Sequence, residues 1–203
     1  MNIKLYNELM KQEGRLAQNP PEWKQFLEFC EMYLTKHRIK NPIVVELGTL
    51  YGMQKRFYED LLGARHISID SNNERSVPDI TGFTEDPKTL TKLKEMLGGK
   101  PINILFIDAS HRYKYVSRDF KMYSPLCSDI VAFHDIEVGR HSRRRKHDVF
   151  VFWDELKELS YSRTGQYEHT MFIEIRQCRQ KKKRSARQGI GMMTNRFLLT
   201  GPR

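Results

Sequence analysis

The sequence predicts an α/β fold: a doubly wound, mostly parallel sheet of seven strands with helices on both faces. Three observations carry this. Ile43-Val44-Val45-Glu46-Leu47 is a nearly unbroken apolar run, the composition of a strand buried on both sides. The run breaks at Gly48 and passes through Gly52 into an amphipathic helix pattern, which is the strand–turn–helix corner that opens such domains. Further strand-like runs then alternate with helix-period stretches along the rest of the chain.

The elements follow in order. Residues 2–18 read as a short helix with Leu5, Leu9 and Leu16 on one side. Pro20-Pro21 starts a second helix over 22–37, whose Trp23, Phe26, Leu27, Cys30 and Leu34 recur at helical spacing and form a core face. His37 reads as a surface residue near its end. Residues 53–62 form a helix with Phe57, Leu61 and Leu62 inward, stopped by Gly63. Strands follow at 65–70 and, weakly, at 77–83. Asp86-Pro87 begins a helix that runs to Leu97 and ends at Gly98-Gly99. A strongly apolar strand at 102–107, a helix at 113–126 and a strand at 129–133 come next. A helix over 148–160 offers Phe152, Trp153, Leu156 and Leu159 for burial, and strands at 167–176 and 189–199 close the chain.

The chain's 203 residues suffice for one α/β domain over 1–203, with residues 1–40 as helices packed on its core. Hydrophobic residues make up 39% and the mean hydropathy is −0.64, so a polar globular chain with no membrane span is expected. Met1 to Tyr6 opens no apolar signal region, and Cys30, Cys127 and Cys178 are scattered without metal-ligand spacing. Both features suggest a reducing, cytoplasmic setting. The net charge is +10, yet the segments 140–147 and 176–187 hold five and seven cations and no acid. The remainder is slightly acidic, so basicity belongs to two segments and not to the fold. If the sixth strand runs parallel to the first five, both segments leave the carboxyl edge of the sheet. A positive rim there favours an anionic acceptor such as a nucleotide-linked or phosphorylated sugar, or a nucleic acid. Two solvated loops are the alternative.

Ligands of doubly wound sheets bind at the carboxyl ends of the strands, so Glu46, Gly48, Thr49 and Gly52 should line a pocket. The spacing Glu-x-Gly-x-x-x-Gly is neither the GxGxxG of a dinucleotide site nor a phosphate-binding P-loop. Asp70 closes the second strand, 22 positions after Gly48, where a carboxylate can accept both hydroxyls of a ribose. Capping of the turn at Ser71-Asn72-Asn73 is the alternative. Asp108 ends the fourth strand with His111 three residues on, and His134-Asp135 ends the fifth. Two carboxylates and an imidazole at adjacent strand ends can hold one divalent cation, Mg²⁺ or a similar hard ion, with His134 admitting softer ones. Asp108 and Asp135 serving as loop caps is the alternative.

Glu46-x-Gly48-x-x-x-Gly52 resembles the first motif of class I S-adenosylmethionine (SAM) methyltransferases, a Rossmann-like family. Ile107 to His111, Phe120 to Leu126, Ile130 to Ile136, Phe152 to Lys157 and Gly189-Ile190-Gly191 together resemble its cephalosporin-hydroxylase-like and sugar O-methyltransferase branch. The resemblance spans roughly Pro42 to Leu199. It implies SAM held by Glu46, Gly48, Thr49, Gly52, Asp70, Phe83 (on the adenine) and Asp108. It also implies catalysis by Asp108 and His111, the latter as general base, and a metal (Mg²⁺ or Mn²⁺) on Asp108, His134 and Asp135. Metal-dependent members usually carry an acid where this chain has His134. The implied reaction is methyl transfer to a hydroxyl of a sugar, glycan or similar small molecule. A ribose 2′-O-methyltransferase of nucleic acid, or a non-catalytic nucleic-acid-binding domain on the same scaffold, is the alternative. The amino-methylation motif Asn-Pro-Pro-Tyr/Phe and the Pro-Cys nucleophile of cytosine methylation are both absent.

Overall fold

The computed structural model describes residues 1–12, 16–140, 147–161, 170–176 and 188–195. Most of both basic segments, 141–146 and 177–187, lies outside the described residues, as do 167–169 and 196–199 of the two predicted last strands. The elements are α1 (Ile3–Gln12), α2 (Pro20–Lys36), β1 (Ile43–Leu47), a π-helical turn (Phe57–Leu61), β2 (Arg65–Asp70), β3 (Ile80–Thr81) and α3 (Pro87–Leu97). They continue with β4 (Ile102–Ile107), α4 (Tyr113–Tyr123), a 3₁₀ turn (Ser124–Leu126), β5 (Cys127–His134), α5 (Val149–Tyr161), β6 (Thr170–Ile175) and β7 (Ile190–Asn195).

The seven strands form one sheet in the order β3-β2-β1-β4-β5-β7-β6. β1 pairs in parallel with both β2 and β4, so the strand order reverses direction at β1. β7 is antiparallel to both β5 and β6, which makes β6 parallel to β1–β5. The carboxyl ends of β1–β6 and the start of β7 therefore share one edge.

Strand alternation sorts the core into two layers. Val45, Leu47, Leu105, Ile107 and Phe133 face α3, α4 and α5 through Leu93, Phe120, Phe152 and Trp153. Val44, Ile104, Phe106, Ile130 and Ala132 face α1, α2 and the π turn through Leu9, Trp23, Phe26 and Phe57. Trp23 is fully buried, with its ring edge-on to Phe57, Tyr58 and Phe106. Each such side chain contributes about 2–3 kcal/mol through burial.

Three local expectations are corrected. The third strand shrinks to two residues, with Val77 91% exposed. Pro78 carries no N–H for the ladder, and the Asp79 carboxylate takes the bonds instead, accepting from Ser68 N–H at 2.8 Å and Ser68 Oγ at 2.7 Å. The helix at 53–62 is short and winds into the π turn. Tyr58 is wholly buried there, whereas Leu61 and Leu62 are only partly so. His37 caps the end of α2 half-buried, its ring 4.4 Å from that of Tyr33.

Candidate active site

The site forms where β1 and β4 separate at the carboxyl edge. The ladders continue one step past the strand ends, with Gly48 N–H on Ile69 O and Asp108 N–H on Leu47 O, both at 2.8 Å. Gly48 has φ +86°, and a Cβ there would lie 2.4 Å from Ala109 Cα and 2.5 Å from Asp108 O. Only glycine fits both the conformation and the contact. Asp70 closes the turn: its Oδ2 accepts from Thr49 N–H (2.8 Å) and Leu50 N–H (3.0 Å), and its Oδ1 accepts from Asn72 N–H (2.9 Å). The capping role is thus present. It leaves Oδ1 with spare acceptor capacity.

Two cavities meet here. One, of about 300 Å³, is lined by Gly48, Asp70, Phe83, Thr84, Ser110 and Tyr115, among others. The other, of about 310 Å³, is lined by Gln54, Asp108, His111, His134, Asp135 and Gln188, among others. They share Gly48, Asp70 and Ala109 as a common wall. Gly48, Asp70, Phe83, Asp108, His111, His134 and Asp135 all line one or both of these cavities.

Glu46, Thr49 and Gly52 line neither cavity. Strand alternation turns Glu46 toward α2, where its fully buried carboxylate lies 3.1 Å from His66 Nε2. Burial raises its pKa against the opposing pull of His66. Gly52 (φ +67°) lies behind the turn, where an added Cβ would stand 3.3 Å from the Ser76 Cβ. Thr49 contributes its N–H to Asp70 while its side chain is buried.

The charged centre is built on Asp108 and Asp135. Asp108 Oδ1 lies 3.1 Å from His134 Nδ1, which also stands 3.4 Å from Asp135 Oδ1. Asp135 Oδ2 lies 3.1 Å from His111 Nδ1 and 3.9 Å from His147 Nδ1. Burial by itself would lower the His134 pKa, but the Asp108 carboxylate, with Asp135 and Glu22, overrides it and raises it to about 9. Burial raises the Asp135 carboxyl against the neighbouring imidazoles. Asp135 also holds a left-handed backbone, φ +62°, which costs a non-glycine residue about 1 kcal/mol.

Three site residues carry no sequence signal of their own. Gln18 donates through Nε2 to Asp108 Oδ2 at 2.9 Å, and its Oε1 accepts from Gln54 Nε2 at 3.0 Å. Gln188 binds the same segment, accepting from Asn19 N–H at 2.7 Å and donating to Ala17 O at 3.0 Å. His147 returns to the site because Asp148 N–H donates to His111 O at 2.8 Å. Amides at loop ends form no motif. The histidine at the end of the first basic run was the one available cue.

Solved structures share this architecture. MycE methyltransferase of the mycinamycin biosynthetic pathway, in complex with Mg, S-adenosylhomocysteine (SAH) and mycinamycin VI, superimposes with TM-score 0.62 and 13% identity over 94% of this chain and 53% of that one. The O-methyltransferase TomG from Streptomyces achromogenes, in complex with SAM, gives 0.60 and 15% over 95% and 88%. An O-methyltransferase from Bacillus cereus in complex with SAH gives 0.56 and 13% over 94% and 90%. The fold is that of the class I SAM-dependent methyltransferases. In this methyltransferase fold the chain spans about half the length of MycE. An uncharacterized protein of Sinorhizobium fredii (strain NBRC 101917 / NGR234), y4gI, is 31% identical over 84 residues, 40% of this chain and 9% of that protein. No protein-family profile matches the sequence. Among the described residues, no helix is long and apolar enough to cross a membrane.

Proposed function

We propose that the chain is a SAM-dependent O-methyltransferase acting on a hydroxyl of a sugar or glycan, with His111 as general base and a divalent cation assisting. The observation that carries this reading is the pair of joined cavities, one suited to a nucleoside and the other holding the Asp–His cluster. SAM supplies an electrophilic methyl on a sulfonium centre. Asp70 Oδ1 would accept from the ribose, Phe83 (63% exposed) would cover the adenine, and Gly48, which lines both cavities, would leave room for the methionine portion. Asp135 accepts from His111 Nδ1–H, which leaves Nε2 free to take the acceptor's hydroxyl proton. The products are the methyl ether, SAH and the proton held on His111.

The residues fit a cation. One ligand atom each from Asp108, His134 and Asp135 lies within 4.8 Å of the others, and Asp135 Oδ1 is buried with no hydrogen-bond partner among the described residues. Asp108, His134 and Asp135 would hold it, and it would polarise the acceptor hydroxyl. β6 runs parallel to β1–β5, so Arg140 and Arg176, the described first residues of the two basic segments, each follow a strand that ends at this edge, and the positive charge of those segments in the sequence supports an anionic acceptor. The same feature favours a second reading, methylation of a ribose 2′-hydroxyl in nucleic acid.

Calorimetric titration of SAM, with and without Mg²⁺ or Mn²⁺, tests the cofactor. We expect micromolar binding, and its absence refutes the enzyme reading. His111→Ala is expected to lower turnover at least 100-fold while SAM affinity stays within about twofold. Full activity in that variant removes His111 from the mechanism.

A further inference from the structure

The outer side of Asp135 carries a second group of donors that the proposed chemistry uses only in part. His111 Nδ1 and His147 Nδ1 converge on Asp135 Oδ2, at 3.1 Å and 3.9 Å. The two rings lie 4.7 Å apart between centroids. One ligand atom from each of the three residues lies within 4.8 Å of the other two. His147 Nδ1 is shielded from solvent and has no hydrogen-bond partner among the described residues.

The backbone holds this arrangement in place. Asp148 N–H bonds to His111 O at 2.8 Å, and the Asp148 carboxylate accepts from Tyr113 N–H at the start of α4. Together they fasten the end of the loop beside His111. Gly139 (φ +81°) admits the neighbouring carbonyl, since a Cβ there would lie 2.4 Å from His147 O. The left-handed Asp135 turns its carboxylate between the two rings and His134.

The donor set also differs in kind from the inner group. Asp108, His134 and Asp135 offer two carboxylates and one imidazole. His111, Asp135 and His147 offer two imidazoles and one carboxylate, with less negative charge. Mg²⁺ prefers oxygen and gives up water reluctantly, whereas imidazole nitrogen suits Zn²⁺, Co²⁺ and Ni²⁺. Two histidines with one carboxylate also leave coordination positions open to water.

We propose that His111, Asp135 and His147 form a binding site for a single divalent transition-metal ion of the Zn²⁺ class, sharing only Asp135 with the inner group. The consequence for catalysis rests on the proposed role of His111. An ion on Nδ1 keeps the ring proton on Nε2, so His111 has no lone pair to accept the hydroxyl proton. A transition ion then holds the enzyme off, while Mg²⁺ does not.

The test is binding, independent of turnover. The whole chain, freed of metal with chelator, is titrated with Zn²⁺ by calorimetry and with Co²⁺ by visible absorption. The wild type is expected to bind one ion, with Co²⁺ showing the d–d bands of nitrogen ligation. Removal of a partner behind a metal ligand costs about 10- to 100-fold in affinity, so His147→Ala, which deletes a ligand itself, is expected to lose at least about 100-fold. His147→Asp, which restores a ligand atom, should recover part of the loss. His134→Gln, which changes a neighbour of Asp135 but no ligand of this site, should lose only about tenfold, far less than His147→Ala. Equal metal-free melting temperatures for wild type and His147→Ala keep folding out of the comparison. Wild type that binds no Zn²⁺, His147→Ala that binds as wild type does, or His134→Gln that loses as much as His147→Ala each overturns the proposal. SAM titration on the same samples separates the two readings. Zn²⁺ binding through His147 without SAM binding refutes the methyltransferase and keeps the metal site. SAM binding without Zn²⁺ binding does the reverse.

Discussion

The two cavities are made by different means. The wall around Gly48, Asp70 and Ala109 is mostly backbone: a turn without a side chain, two ladder bonds that outlast their strands, and one carboxylate that accepts three N–H groups. The wall around Asp108 and Asp135 is mostly side chains, sent from separate segments by Gln18, Gln54, His111, His134, His147 and Gln188. A backbone wall tolerates no added atom. A side-chain wall can lose one member and keep its shape, at a loss of chemistry. The first therefore governs whether a ligand fits, and the second what happens to it.

Gly48→Ala probes the contrast most severely. Its Cβ meets main-chain atoms at 2.4 Å and 2.5 Å and also inherits a left-handed φ. We expect a loss of about 3–5 kcal/mol in urea unfolding, together with loss of SAM binding. An alanine variant of native stability would break the distinction between the walls.

Gln18→Ala tests the other wall. It removes a hydrogen bond to the Asp108 carboxylate and leaves the backbone untouched. Turnover should fall about tenfold, corresponding to about 1.4 kcal/mol, with SAM affinity within about twofold. A matching loss in both quantities would mean that the side-chain wall also shapes the cofactor cleft.

The smallest effect is expected behind the first cavity, at Asp119 of α4. Burial raises its pKa to about 6, against a hydrogen bond from Thr84, and its Oδ2 has no hydrogen-bond partner among the described residues. The folded state thus favours the protonated form. The stability this contributes is complete below the unfolded carboxyl pKa of about 3.9 and is lost as pH rises through about 6. Asp119→Asn should remove this fall and raise stability by about 1 kcal/mol at pH 8, read as a higher melting temperature. An unchanged pH profile would mean that Asp119 is solvated.

The same division explains what the sequence reveals. β2 and β4 run over the expected residues because an apolar run with a defined stop is a local property. The ends of α3 are legible for the same reason: Asp86 caps it through Lys88 N–H, Pro87 opens it, and Gly98 takes the left-handed turn. Asp70, Asp108 and Asp135 stand out in the sequence because strand ends are predictable positions and acids there are conspicuous. Glu46 was expected to line a pocket from its place near the carboxyl end of β1, whereas strand alternation turns it inward toward His66. Gln18, His147 and Gln188 escaped because their roles depend on long-range placement, such as the contact of residue 18 with residue 108. No local pattern encodes that.

Gln188 ties the stretch at Ala17–Asn19 to the start of β7, and this bears on how the molecule is born. The residues of the first cavity all occur by Tyr115, whereas the second also needs Gln188. On a ribosome, the residues of the first cavity are available for folding while the last strands are still unsynthesised. The Ala17–Asn19 stretch, already in reach of Asp108 and Gln54 through Gln18, gains its bonds to Gln188 only when the start of β7 arrives. That late arrival completes the chamber where the reaction is proposed to occur.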